Sequence, residues 1–193
     1  MNENTFDQDR PTAPHADNYW HGAAPGCGSG LAPWLRDRGS LTRRIQQRCT
    51  HFAVRGMRSG LARIAYDESA LLDIAPSQLA WSREVFLYAD GKPAVFAHSA
   101  LEREHLRGAW SVLLGLGDKP LGGFLFAHPL VERRPLHYRA LRDTHPLYLR
   151  AATALKDPPR RLWARRSLFY LRGAPLLVTE VFLPDILLLA DPV

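Results

Sequence analysis

Two charged residues, Arg83 and Glu180, stand in stretches that are otherwise apolar. Side chains on a β-strand alternate between faces with a period of two. Across residues 176–183 that period puts Leu176, Val178, Glu180 and Phe182 on one face and Leu177, Thr179, Val181 and Leu183 on the other. Both faces are apolar, the pattern of a strand covered on both sides, so Glu180 is expected in largely apolar surroundings. A carboxylate there has a raised pKa unless a cation stands beside it. The same alternation over residues 81–88 sets Arg83 beside Trp81, Val85 and Leu87. Arginine cannot shed its proton, so a buried one must find an anion. Two readings are open. Arg83 and Glu180 (or Glu84) form a structural ion pair, or they line a pocket. In the second reading Arg83 is kept for an anionic ligand and Glu180 for proton transfer or hydrogen bonding. Spacing does not decide between them.

The elements that position these residues are legible in part. Residues 81–98 read as a hairpin, because the β-prone run from Trp81 to Tyr88 meets Asp90-Gly91 and then a returning apolar run. Residues 162–183 read as a second hairpin with its turn at Arg172-Gly173-Ala174-Pro175. Ser40 is a good helix N-cap before a short basic helix over residues 41–48. Residues 50–66 read as two successive strands, 100–116 as a helix stopped at Gly117, 120–126 as a turn into a short helix or strand, and 147–155 as a helix. Hairpins with interspersed helices and no regular βαβ alternation point to an α+β domain: one antiparallel sheet flanked by helices.

The chain has 193 residues, enough for one domain with a sizeable core. Residues 1–30 are rich in Asn, Asp, Pro, Gly and His and read as a disordered tail. Trp20 is the tail's large apolar residue and a candidate for docking on the domain at 31–193. Two cysteines, Cys27 and Cys49, with no CxxC spacing support neither a disulfide framework nor a zinc site. The polar N-terminus and the absence of a long apolar run give no signal peptide or membrane span, and a cytoplasmic protein is expected. Eight histidines form no HxH or HExxH, so no metal site is expected. Gly115-Leu116-Gly117 lacks the strand–GxGxxG–helix context of a dinucleotide site.

The formal charge of +6 is unevenly placed. Residues 131–166 hold ten arginines and lysines against three acids, and the rest of the chain is nearly neutral. A solvated basic face is the plain reading. Electrostatic steering of an anionic substrate, or contact with an anionic membrane surface, is the functional one. A nucleic-acid partner is not expected, since it would need a basic face with base-stacking aromatics.

Several dispersed, ordered blocks together resemble the chorismate pyruvate-lyase family. They are Trp34-Leu35 with Gly39 to Arg44, Trp81 to Pro93, Leu116 to Phe126, Leu162 to Ser167, and Gly173 to Pro184. The resemblance implies an α+β fold with a ligand pocket buried under helical flaps. It implies a lyase that converts chorismate to 4-hydroxybenzoate and pyruvate, the first committed step of ubiquinone biosynthesis, without metal or cofactor. A monomer with no stable membrane insertion is expected. The family's ligand-contacting positions fall on Leu41, Arg83, Leu121 and Glu180, with Arg83 and Glu180 carrying the chemistry and the Leu41 contact made by the backbone. Residues 131–166 depart from the family pattern as a basic extension. The alternative is a non-catalytic sensor of aromatic acids on the same fold, as in effector domains of some transcription regulators. Those carry a helix-turn-helix domain ahead of the effector domain, and residues 1–30 are too short and polar for one.

Overall fold

A computed structural model describes residues 19–23, 26, 28 and 30–189. Most of the expected tail, and Cys27 with it, lies outside the described residues. The described residues form a seven-stranded sheet in the order β1 (Phe52–Ala62), β2 (Ala80–Ala89), β3 (Lys92–Leu101), β7 (Ala174–Phe182), β6 (Leu162–Leu171), β4 (Val131–Arg133), with β5 (His137–Leu141) also paired to β6. Every strand pair in it is antiparallel.

Two long hairpins make the centre of the sheet. Strands β2 (Ala80–Ala89) and β3 (Lys92–Leu101) are joined by Asp90 and Gly91, both at positive φ. Strands β6 (Leu162–Leu171) and β7 (Ala174–Phe182) are joined in the same way by Arg172 and Gly173. Two-residue loops with positive φ at both positions match the right-handed twist of the flanking strands. The second turn is therefore two residues shorter than the sequence suggests, and Ala174 and Pro175 already belong to β7.

Residues 50–66 are not two strands. They form one strand, β1 (Phe52–Ala62), whose register with β2 shifts between Arg55 and Arg58. Gly56 sits at this irregularity with φ +64, and what reads as a turn is a bulge. The expected helix over 100–116 also does not form. Leu101 ends β3, and two short 3-10 turns follow, Arg103–Arg107 and Ser111–Gly115, separated at Gly108. The apolar spacing there serves packing of Leu106, Trp110 and Leu113 rather than one continuous helix.

Short helices cover both faces of the sheet. On the front lie α1 (Ala32–Arg36), α2 (Leu41–Gln46) and the 3-10 turns, together with a helix that follows them, α4 (Leu121–Ala127). Trp34, Leu35, Leu41 and Ile45 pack there against Val85, Leu87, Val95 and Phe182. On the back, Leu147, Tyr148 and Ala151 of α5 (Pro146–Ala152) pack against Phe96, Leu162 and Val181. Helix α3 (Tyr66–Ser69) adds Asp67 and Glu68 on that side. Strands β4 (Val131–Arg133) and β5 (His137–Leu141) complete the β6 side of the sheet. Part of the expected tail is held here: His21 bridges to Tyr138, and Trp20 is buried with its Nε1 donating to Asp67 at 2.6 Å.

The basic segment 131–166 is thus β4, β5, α5 and the start of β6, with Arg134, Arg142, Lys156, Arg160 and Arg161 exposed and the other five cations at least partly buried. Arg165 and Arg166 are fully buried, and Arg133, Arg139 and Arg150 make internal contacts.

Candidate active site

The front face of the sheet and helices α2 and α4 bound a cavity of about 580 Å³, counting its mouth. Leu41, Arg83, Leu121 and Glu180 all line it. The four positions singled out in the sequence are therefore brought together by the fold.

Each is placed by a local rule. Arg83 stands on the inward face of β2 with Val85 and Leu87, as the alternation requires. Val178 and Glu180 face the same space from β7. Leu41 and Leu121 are the first residues of α2 and α4. The first amides of a helix have no intrahelical acceptor, so these two ends present N–H groups beside the cavity. The helices approach closely because of Gly122, where an added Cβ would lie 3.0 Å from Thr42 Oγ1 and 3.2 Å from Ser40 Oγ.

Arg83 and Glu180 do not pair with each other, nor Arg83 with Glu84. The register explains why. Arg83 is opposite Ser99 and so in the row of Val178, whereas Glu180 is opposite Ala97, one row on and two strands away. Strand spacing and rise set their Cα atoms roughly 12 Å apart. Arg83 is buried, and its Nη2 donates to the carbonyls of Gly117 and Lys119 at 3.0 and 2.9 Å, on the turn that leads into α4. Its Nε is buried with no acceptor. Burial pulls the guanidinium down from its ordinary pKa, and nearby Asp118 opposes that.

The cation beside Glu180 is Arg165. Its Nε donates to Glu180 Oε2 at 2.6 Å. Its Nη1 reaches the carbonyls of Trp34 (2.9 Å), Leu35 (3.3 Å) and Asp37 (2.5 Å) at the end of α1. Arg165 therefore both closes a helix end and fixes the carboxylate's direction.

Arg133 is the other arginine of the cavity wall that sequence reading left in the basic extension. It donates from Nη1 to Arg38 O at 2.6 Å and lies over the rings of Phe126 and Phe169, at 5.3 and 5.4 Å. Its Nε is also buried without an acceptor. Burial lowers its pKa, and the charge acting most strongly against that is Glu180. Ser99, Ser167 and Thr42 add hydroxyls to the wall.

Sheet plus helices of this arrangement define a class by fold alone. It is shared with the PhnF C-terminal domain (TM-score 0.55, 13% identity, 79% of this chain and 95% of that one). A GntR-family transcriptional regulator from Bacillus cereus is also similar (TM-score 0.51, 8% identity, 70% of this chain and 94% of that one). Sequence comparison goes further. The family model for chorismate lyase matches residues 27–189, the basic segment included. A probable chorismate pyruvate-lyase of Nitrosospira multiformis is 49% identical over 89% of this chain and 96% of its own. One of Aromatoleum aromaticum is 53% identical over 81% of this chain and 86% of its own. The chain belongs to the chorismate lyase family and is, with it, a lyase. Among the described residues no helix is long and apolar enough to cross a membrane.

Proposed function

We propose that this protein is a chorismate pyruvate-lyase that releases 4-hydroxybenzoate and pyruvate, acting as a cytoplasmic monomer at the first committed step of ubiquinone biosynthesis. The observation that carries the reading is the cavity, with an arginine at one end and an arginine-held carboxylate at the other.

Chorismate has a ring carboxylate para to its C4 hydroxyl, and its enolpyruvyl ether is on the neighbouring C3. Arg83 grips the ring carboxylate in a charge-assisted contact. The amides of Leu41 and Leu121 lie beside the cavity to complete that grip. Glu180, near the opposite end, accepts a hydrogen bond from the C4 hydroxyl and receives the proton lost from C4. The C4–H electron pair becomes a ring double bond, the C3–O bond breaks, and the ring is aromatic. Enolpyruvate leaves and takes a proton on its methylene carbon to become pyruvate. The elimination is redox-neutral, and aromatisation drives it, so positioning in a site with little water supplies much of what remains.

The test mixes purified protein with chorismate, following 4-hydroxybenzoate by absorbance and pyruvate by a coupled assay. Equimolar formation of both is expected. Binding of 4-hydroxybenzoate with no pyruvate released would make the protein a sensor and remove the lyase reading.

A further inference from the structure

The cavity holds more positive charge than its own acids neutralise. Its wall carries Arg83, Arg133 and Glu180. Glu180 is already paired, at 2.6 Å, to the fully buried Arg165 behind it. Of the other acids nearby, Asp37 is taken by Arg44 at 2.8 Å and Asp118 is exposed. Among the described residues, two cationic side chains therefore line the space without a carboxylate paired to them. Both also keep a buried Nε–H that has no acceptor among the described residues. A buried donor left unpaired is costly, and a charged one more so. A ligand with one carboxylate relieves one of these arginines, and a ligand with two relieves both.

The two arginines are not equivalent. Arg83 is tied to the Gly117–Lys119 turn, and the charge acting on it is Asp118. Arg133 is the one near Glu180, whose charge acts on it more strongly than that of Arg165, Tyr138 or Asp37. Its plane is set by Phe126 and Phe169 and by its bond to Arg38 O. On the reading proposed above, Glu180 meets the C4 hydroxyl, and the enolpyruvyl group is attached at the adjacent carbon. The side-chain carboxylate of the substrate then falls at the Arg133 end of the cavity.

We infer that Arg133 binds the enolpyruvyl carboxylate, so that it distinguishes the dicarboxylate substrate from the monocarboxylate product. This rests on the chorismate reading, and it adds a residue and a role. Arg133 holds the fragment that leaves. Once C3–O breaks, that fragment departs as free pyruvate, and the ring product keeps contact with Arg83 alone.

The experiment compares Arg133→Met with Arg83→Met and the unsubstituted protein in two assays: steady-state turnover of chorismate, and equilibrium binding of 4-hydroxybenzoate by tryptophan fluorescence. Loss of one charge-assisted contact is worth roughly 10- to 100-fold. Arg133→Met is expected to raise KM for chorismate by about that factor while the Kd for 4-hydroxybenzoate moves less than about threefold. Arg83→Met is expected to weaken both. If Arg133→Met does not fold, Arg133→Lys is read in the same assays, since it keeps the charge and removes the Nε donor. It should move in the same direction by less. An Arg133 variant that loses both ligands equally, or neither, overturns the inference and leaves the lyase reading standing. If the unsubstituted protein makes no pyruvate, the lyase reading falls. The inference is then decided by binding alone, as selective loss of chorismate over 4-hydroxybenzoate.

Discussion

The two faces of one sheet use charge in opposite ways. On the front, Arg83 and Arg133 line a cavity with donors left over. On the back, charges meet one another. His98 lies between Glu68 (3.3 Å) and Glu84 (3.1 Å), and Arg150 closes on Glu84 as well. Asp67 takes Arg166 at 3.1 Å, Arg139 at 3.4 Å and the Trp20 indole N–H. Burial alone would lower the pKa of His98, but the two carboxylates overcome it and push it up to about 9. Glu68 and Glu84 are held low in turn by His98, against the effect of burial. Adjacent residues are split between the faces: Arg83 from Glu84, Arg165 from Arg166, and Glu180 from Thr179. A charge facing the cavity and a charge spent on the fold therefore differ by one step along a strand. Residue type does not separate them, and partners do.

The contrast breaks most visibly on the front. Glu180→Gln should lower kcat/KM for chorismate by about 100-fold or more, the usual range for a proton-transfer group. Its melting temperature should stay within a few degrees. Near-normal turnover in a folded Glu180→Gln would end the assignment of chemistry to that face.

A back-face change should do the reverse. Arg166→Met removes a cation from buried Asp67 and is expected to cost about 3 kcal/mol of stability. The molecules that remain folded should keep kcat/KM within a few fold. Denaturant unfolding together with turnover per folded molecule checks both halves.

Acidity sharpens the comparison next. His98 binds its proton more tightly in the folded protein, with a pKa of about 9 against roughly 6.5 when unfolded. Between those values the folded state carries the extra proton, so stability falls as pH rises. The contribution is complete below about pH 6.5 and gone above about 9, on the order of 3 kcal/mol. His145 works in the other direction. Burial and then Arg139 hold it down at about 4, so between about 6.5 and 4 the unfolded state takes up a proton that the folded state does not, and stability falls as pH drops through that range. The melting temperature should therefore peak near pH 6.5 and decline toward 9. A flat profile over that range would mean that His98 is not the charged centre of the back face.

The smallest effect tests the anchor from the N-terminal segment. Trp20→Phe keeps a ring under Arg166, whose guanidinium lies 4.2 Å from it, and loses only the bond to Asp67. About 1 kcal/mol of stability should go, with kcat/KM unchanged.

Much of this was readable from residues alone, where short-range rules apply. Asp90-Gly91 announces a tight turn, Arg172-Gly173 places the second hairpin's turn though not its length, and alternation along β2 and β7 points Arg83 and Glu180 inward. What pairs with what was not readable. The Arg83–Glu180 ion pair, one of the two readings left open, does not form, and that outcome depends on register between strands that are far apart in the chain. The same alternation, applied to the first arm of the hairpin at 162–183, would have split Arg165 from Arg166. Arg133 had no such signal, since β4 is three residues long and its position comes only from pairing with Phe169.

The pairing of Ala97 with Glu180 has a consequence for how the chain is made. A ribosome delivers β1, β2 and β3 first, and these can join as neighbours while synthesis continues. The carboxylate end of the cavity must wait. Glu180 arrives on one of the last strands, and the arginine that aims it closes onto Trp34 O across 131 residues of sequence. Contacts of such separation form late, because loop closure must be overcome before they stabilise anything. During translation the nascent chain holds Arg83 long before it holds Glu180, and the two ends of the cavity come together only with the final hairpin.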